Sequence, residues 1–521
     1  MSRLVVVSNR VAPITEGEPA AGGLASGVLD ALRAQGGVWF GWSGEVSQEA
    51  EPTPHPSRTV GAITVFTRDL SRRDYDEFYR GFANGTLWPV LHYQIGLARF
   101  DWGEFAGYRR VNELFAHSLA RLLQPDDLVW VHDYHLLCLA DALRAAGIDN
   151  RLGLFLHTPF PEPGVFMTVP AHAELVRAMC GFDLLGFQTD TDRTAFVDYV
   201  TRTAGGAVLS DGQLAAFSRV VKTGVYPIGV HIDAVRAEAE HPAHRLQALR
   251  LRNDLHGRQL ILSVDRLDYS KGLRQRFLAF ERFLQDAPHD HGQVVFLQIA
   301  PPSRSDIQTY REIRRELEAE AGRINGRFAD LDWAPLRYLN RSFARDALMP
   351  LYAEARIGLV TPLRDGMNLV AKEYVAAQDP DDPGVLVLSQ FAGAARELTA
   401  ALIVNPYDEA GIAGALAQGL AMTIEERRAR HAAMLDVMRR NSLDAWRDRF
   451  IGDLRASDGQ GGRQTLPLPA RAWAAEQTKA GGRGPLPKLP AKDGPHQDGH
   501  DVNRADKARC CRQRCRQSAP S

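Results

Sequence analysis

The chain has 521 residues, 45% of them hydrophobic, which is too much for one ordinary core and calls for two domains with additions. Its 62 basic and 63 acidic residues leave a net charge of -1, so no global field recruits nucleic acid or an acidic membrane, and any anion site has to be local. The longest apolar runs stop short of the ~18 residues of a membrane span, and the start, Met1-Ser-Arg-Leu-Val-Val-Val-Ser, lacks the cleavage pattern of a signal peptide; a cytoplasmic protein is expected.

The first predicted strand runs from Leu4 to Val7 and leads to Arg10. A polar loop then reaches Gly22-Gly23 and an apolar helical pattern from Leu24 to Leu32. Adjacent glycines before a helix let backbone amides approach a phosphate, although they equally describe a flexible turn. In Phe78-Tyr-Arg-Gly-Phe-Ala-Asn-Gly-Thr-Leu-Trp88, the Tyr79 hydroxyl suits a phosphate and the Trp88 face a sugar ring; both also fit as core aromatics. Further strands are predicted at Leu128 to His132, Leu152 to His157 and Leu184 to Gln188. Asp133 directly follows the first of these, where it can accept hydrogen bonds from a sugar. His157 ends the second, ahead of the stiff loop Thr158-Pro-Phe-Pro-Glu-Pro163, and can orient a hydroxyl or shift a proton; a lone histidine is as readily structural.

The segment from Gly229 to Glu240 is expected to act as a hinge, after which strands recur at Leu260 to Val264, Val294 to Gln298, Ile357 to Val360, Val385 to Leu388 and Ala401 to Val404. Helical patterns, such as Arg276 to Leu284 and Glu373 to Gln378, alternate with them. Two such series predict an α/β protein of two Rossmann-like domains, 1–235 and 236–456, with ligands held between them beyond the carboxyl ends of the strands. Helical residues from Ile424 to Leu454, with Trp446 and Phe450, close the second domain. From 457 to 521 the composition turns to Gly, Pro, Gln, Lys and Arg, with 12 - 6 = +6 charges, which predicts a disordered basic tail. Cys138 and Cys180 read as buried thiols, while Cys510, Cys511 and Cys515 lack the ligand count of a closed zinc site.

Two segments carry the chemistry. Ser263-Val-Asp-Arg-Leu-Asp-Tyr-Ser-Lys-Gly272 delivers Arg266 and Lys271 at a strand end before a helix, as a nucleotide diphosphate requires; alone, the same residues describe a surface loop paired to Asp265 and Asp268. Thr361-Pro-Leu-Arg-Asp-Gly-Met-Asn-Leu-Val-Ala-Lys-Glu-Tyr374 repeats the pattern of strand, turn and helix start. Glu373, one turn in, can accept both hydrogen bonds of a ribose diol or simply complement the helix dipole. Arg10 and Arg304, each after a strand of a different domain, can point into the cleft as a second cationic pair for a phosphorylated acceptor; taken alone, each is more readily a structural or surface arginine.

With Leu4-Val-Val-Val-Ser-Asn-Arg10, Trp39-Phe-Gly-Trp-Ser-Gly44, Val131-His-Asp-Tyr-His-Leu-Leu137 and the two segments above, the chain from about Arg3 to Leu454 resembles the trehalose-6-phosphate synthases. The resemblance implies a GT-B arrangement and a retaining glucose transfer from UDP-glucose to glucose-6-phosphate, by front-face attack without a protein nucleophile. It implies a donor site of Gly22, Gly23, Arg266, Lys271, Phe343, Asp365, Leu369, Val370, Ala371, Lys372 and Glu373, with His157 on the donor glucose. It puts Arg10, Tyr79, Trp88, Asp133 and Arg304 on the acceptor. Arg266, Lys271, His157 and Asp365 are the expected catalytic residues. No metal, no cofactor and no nucleic-acid partner are expected, and a homo-oligomer, dimer or tetramer, is. The residues leave open ADP- or GDP-glucose as donor and a non-catalytic sugar-phosphate sensor. A Rossmann-type oxidoreductase finds no glycine fingerprint with a properly spaced acidic residue.

Overall fold

The computed structural model describes residues 2–12, 14, 23–49, 55, 57–209, 212–304 and 307–457. Gly22, the three C-terminal cysteines and the predicted tail beyond Ser457 lie outside them.

Short, wholly buried apolar runs such as Leu128–His132 and Val385–Ser389 are suited to a sheet covered on both faces, and they form two. The first sheet is built from β1 (Leu4–Arg10), β2 (Gly37–Ser47), β3 (Arg58–Val60), β4 (Ile63–Ser71), β5 (Leu128–His132), β6 (Arg151–Phe155), β7 (Leu184–Phe187), β8 (Ala207–Val208), β9 (Leu214–Ala216) and β10 (Arg219–Val225). Its order is β3-β4-β2-β1-β5-β6-β7-β10-β9-β8. The interior is parallel; β3 on β4 and the β8, β9, β10 run are antiparallel hairpin edges. The second sheet comprises β11 (Gln259–Val264), β12 (Val294–Ile299), β13 (Leu336–Leu339), β14 (Ile357–Val360), β15 (Val385–Ser389) and β16 (Leu402–Val404). It is parallel throughout, in the order β13-β12-β11-β14-β15-β16. This is the expected pair of Rossmann-like layers.

All nine predicted strands are present, but the sequence pattern passed over β2, β3, β4, β8, β9, β10 and β13. Glycines interrupt the aromatic run of β2, and β13 is an edge strand with three of its four residues only half-buried. β6 stops at Phe155, so His157 lies two residues past the strand rather than on it. The expected hinge contains a helix, Ile232–Glu240, whose Ile232, Val235 and Ala239 are buried and which packs on helices Arg345–Glu354 and Leu369–Ala377. The closing stretch is two helices, Ile424–Arg440 and Leu443–Ala456, the second capped by Ser442 accepting from the Ala445 amide at 3.2 Å.

Helix Leu443–Ala456 returns to the first sheet and packs on β6, β7 and helix Gly23–Gln35. Trp446 and Phe450 are fully buried there, with Phe450 stacked 5.0 Å from Trp130. Gly153 of β6 and Gly186 of β7 allow this approach, since a Cβ at either would stand 2.9 or 2.6 Å from the Phe450 ring. Among the described residues no helix is long and apolar enough to cross a membrane. Cys138 and Cys180 are buried free thiols, both pushed up to about 12 by burial.

Candidate active site

The loop after β11 carries Arg266 and Lys271 and ends at Gly272, whose φ of 67° turns the chain into helix Leu273–Asp286. A buried guanidinium braces it. Arg276, fully enclosed, donates to Asp265 Oδ2 at 2.7 Å and the Lys271 carbonyl at 2.8 Å, to Ser263 Oγ at 2.5 Å, and across to Thr361 Oγ1 at 3.0 Å. Thr361 opens the loop after β14, so one side chain ties the two signature segments together. Asn368, at φ 76°, caps helix Leu369–Ala377 by accepting from the Ala371 amide and donates to Asp365 Oδ2 at 3.0 Å.

The surface-loop alternative for Arg266 and Lys271 does not hold, because Asp265 is taken by Arg276 and Asp268 by Arg304 at 3.0 Å. Lys271 instead pairs with Asp365, 94 residues on in the sequence. Burial alone would raise the Asp365 pKa, but the Lys271 ammonium outweighs it and the group lies below its ordinary value. Among the described residues no carboxylate stands within ion-pair distance of Arg266, which is exposed and lies 5.7 Å over the Trp88 ring.

These groups line a cavity of about 480 Å3 between the sheets. Trp88, Asp133 and His157 enter from the first layer; Arg266, Lys271, Phe343, Asp365, Leu369, Val370 and Glu373 enter from the second. The layers touch here through backbone: a Cβ on Gly366 would collide with the His157 carbonyl oxygen; within the second layer, one on Gly393 would collide with the Gly366 carbonyl. Glu373 is held by Arg345 at 2.8 Å, which also bonds Glu238 at 2.9 Å; burial still leaves the Glu373 pKa raised.

Asp133, at φ 75°, accepts from the His157 amide at 3.2 Å, yet burial lifts its pKa to about 6. Burial lowers His157 to about 3, so its ring is neutral, and its Nε2 lies 3.0 Å from His132 Nδ1. Buried Asp268 goes the other way: Arg304, then Arg266, overcome its burial and bring it to about 2.

Not every expected residue faces the cleft. Lys372 is fully buried with its ammonium on Glu397 at 2.5 Å and the Ile228 carbonyl at 2.7 Å, and the Ala371 amide is spent on the Asn368 cap. Both groups therefore secure the helix, while Leu369 and Val370, half-buried, line the cavity at its first turn. Gly23 opens helix Gly23–Gln35; Gly22 lies outside the described residues. Arg10, Tyr79 and Arg304 lie off the cavity wall, along an aromatic row: Arg10 sits 5.8 Å over Trp42, Trp42 5.4 Å from Tyr79, and Tyr79 stacks on His135 at 5.9 Å. Arg304 lies 4.2 Å over Trp88 and bonds Tyr310 Oη at 2.6 Å.

Sequence reasoning missed Arg276, Arg345 and His132. Only His132 left a signal, as the residue before Asp133 in a string already singled out.

Two Rossmann-like layers whose strand ends share one cleft, with unpaired cationic charge at the second layer's first strand, make this a GT-B glycosyltransferase. The family model of glycosyltransferase family 20 matches residues 4–456. Trehalose-6-phosphate synthase of Klebsiella pneumoniae is 53% identical over 455 residues, covering 87% of this chain and 95% of the relative. An α,α-trehalose-phosphate synthase (UDP-forming) from Burkholderia xenovorans, solved in complex with glucose-6-phosphate, superposes with a TM-score of 0.84 at 54% identity, covering 87% of this chain and all of that one (100%). A structure from E. coli bound with UDP-2-fluoro glucose gives 0.84 at 51% identity, covering 87% and 99%. The chain belongs to glycosyltransferase family 20.

Proposed function

We propose that the protein transfers glucose from UDP-glucose to glucose-6-phosphate with retention of configuration, forming α,α-trehalose-6-phosphate and UDP in trehalose biosynthesis. The carrying observation is the single cavity in which Arg266, Lys271 and Asp365 of the second layer meet Trp88, Asp133 and His157 of the first. The relatives solved with glucose-6-phosphate and with UDP-2-fluoro glucose support the choice of substrates.

In this reading the bond from the sugar's anomeric carbon to the diphosphate breaks as the acceptor hydroxyl oxygen bonds to that carbon from the same face. The hydroxyl proton passes to an oxygen of the leaving phosphate. Charge accumulates on that phosphate, and Arg266, which among the described residues has no carboxylate within ion-pair distance, is the group best placed to meet it, with Lys271 as a second point charge. Asp365 holds Lys271 and turns toward the donor glucose. Glu373, oriented by Arg345, accepts from the ribose diol, while Leu369, Val370 and Phe343 border the base and Gly22 and Gly23 approach the donor phosphate. On the acceptor side Asp133 and Trp88 take the sugar; Arg10, Tyr79 and Arg304 take its phosphate, for which Arg304 shares the guanidinium it now gives to Asp268.

Both substrates are cytoplasmic metabolites, which supports a cytoplasmic enzyme; a dimer or tetramer is the assembly expected for the family, and light scattering tests it. The deciding experiment measures UDP released from UDP-glucose with glucose-6-phosphate, with free glucose, and with EDTA added. Release that needs glucose-6-phosphate, fails with glucose and survives EDTA supports the reading. No release in any tube overturns it and directs attention to other nucleotide donors or to a sensor.

A further inference from the structure

His132 is fully buried behind His157, and its Nδ1 makes the 3.0 Å contact to His157 Nε2. Its other nitrogen, Nε2, is buried with no partner. So are the indole nitrogens of Trp130 and Trp446, whose rings lie 4.5 and 6.3 Å from the His132 ring and 4.9 Å from each other. Among the described residues, three buried polar atoms without a partner thus belong to rings packed against one another, where an unmet hydrogen bond is unfavourable.

The two imidazoles are neutral, so one hydrogen lies between them and two arrangements exist. If His157 Nε2 donates, His132 must carry its remaining hydrogen on Nε2. That would leave three unpartnered donors in these packed rings and no acceptor among them, since an indole N–H only donates. If His132 Nδ1 donates, its Nε2 is left bare and supplies the one acceptor that a buried water needs to join it to an indole N–H. His157 then accepts at Nε2 and carries its hydrogen on Nδ1. Among the described residues that nitrogen has no partner, and it belongs to a half-buried residue that lines the cavity.

We propose that His132 is a positioning residue that holds His157 as its Nδ1–H tautomer, so that His157 offers the donor sugar a fixed hydrogen-bond donor and no base. The use made of that donor rests on the proposed transfer; the tautomer itself does not. Trp446 brings helix Leu443–Ala456 into the same device, which links the closing helix to the cleft.

The test is long-range 1H–15N correlation on the full chain with 15N-labelled histidine near neutral pH, assigned by His132→Gln and His157→Gln. A protonated Nδ1 and bare Nε2 on both residues is expected. A protonated Nε2 on His157, or a doubly protonated ring on either residue, overturns the proposal whether or not the enzyme turns over UDP-glucose. Kinetics supply the second arm. His132→Phe removes the donor and is expected to lower kcat about tenfold with little change in acceptor KM, whereas His132→Gln, which can donate and accept at the same places, recovers most of it. Equal loss in both variants, or loss that tracks the melting temperature, overturns the positioning role.

Discussion

Arg266 is exposed in the cleft and, among the described residues, forms no ion pair, whereas the cations around it are engaged: Arg276 with Asp265, Arg304 with Asp268, Lys271 with Asp365. Removing it disturbs no ion pair of the folded protein. Arg266→Ala is therefore expected to lower kcat/KM by about 10²–10³-fold with an unchanged melting temperature, read from the UDP-release assay and calorimetry. Asp133 makes the opposite trade. Its folded pKa is raised from its ordinary 3.8 to about 6, so the unfolded chain gives up the proton first, and stability falls as pH rises between about 4 and 6. At ~1.4 kcal/mol per pKa unit, the ionised group costs roughly 3 kcal/mol above that window. Asp133→Asn, which keeps an acceptor and tolerates the left-handed backbone, is expected to raise the melting temperature above pH 6, remove this pH dependence and raise the glucose-6-phosphate KM. At this scale the sequence was legible where one segment supplied both partners of a function, as with Arg266 and Lys271. It was silent where charges met across 36 or 107 residues, as Arg304 does with Asp268 and Arg345 with Glu238.

The loops after β11 and β14 work as one element because Arg276 spans them. Arg276→Met leaves Asp265 buried without a counter-charge and is expected to destabilise the protein by about 3–5 kcal/mol in urea titration, far more than Arg266→Ala. The second loop also meets the first layer at Gly366, where no side chain fits under the His157 carbonyl. Gly366→Ala is expected to push the layers apart and lower kcat/KM by about 10²-fold while the second sheet keeps its circular dichroism, because displacement of about 1 Å is enough to misalign the reacting groups. Apolar runs made the buried parallel strands readable, and every one predicted is present. β2 and β13 escaped because glycines or an exposed edge dilute the apolar signal, and the helix Ile232–Glu240 escaped because its alternating acidic residues resemble a linker.

As a whole, the molecule is two layers that the order of the chain made plain and one return that it made less so. The family match ends at residue 456, one residue short of the last described one. A chain ended after Ser457 is accordingly expected to keep its melting temperature and kcat/KM, whereas one ended at Asn441 loses the cover over Gly153 and Gly186 and exposes the Trp130 face, which dye binding to apolar surface would report. The return has a further consequence for synthesis. A ribosome makes the first sheet before residue 226, but the helix that seals it emerges only after the entire second sheet has been made. The first layer must therefore wait, with the β6 and β7 part of one face bare, for its own last piece. The second layer, whose strands are consecutive in sequence, can close ahead of it, and the cleft becomes competent only when the final helix docks.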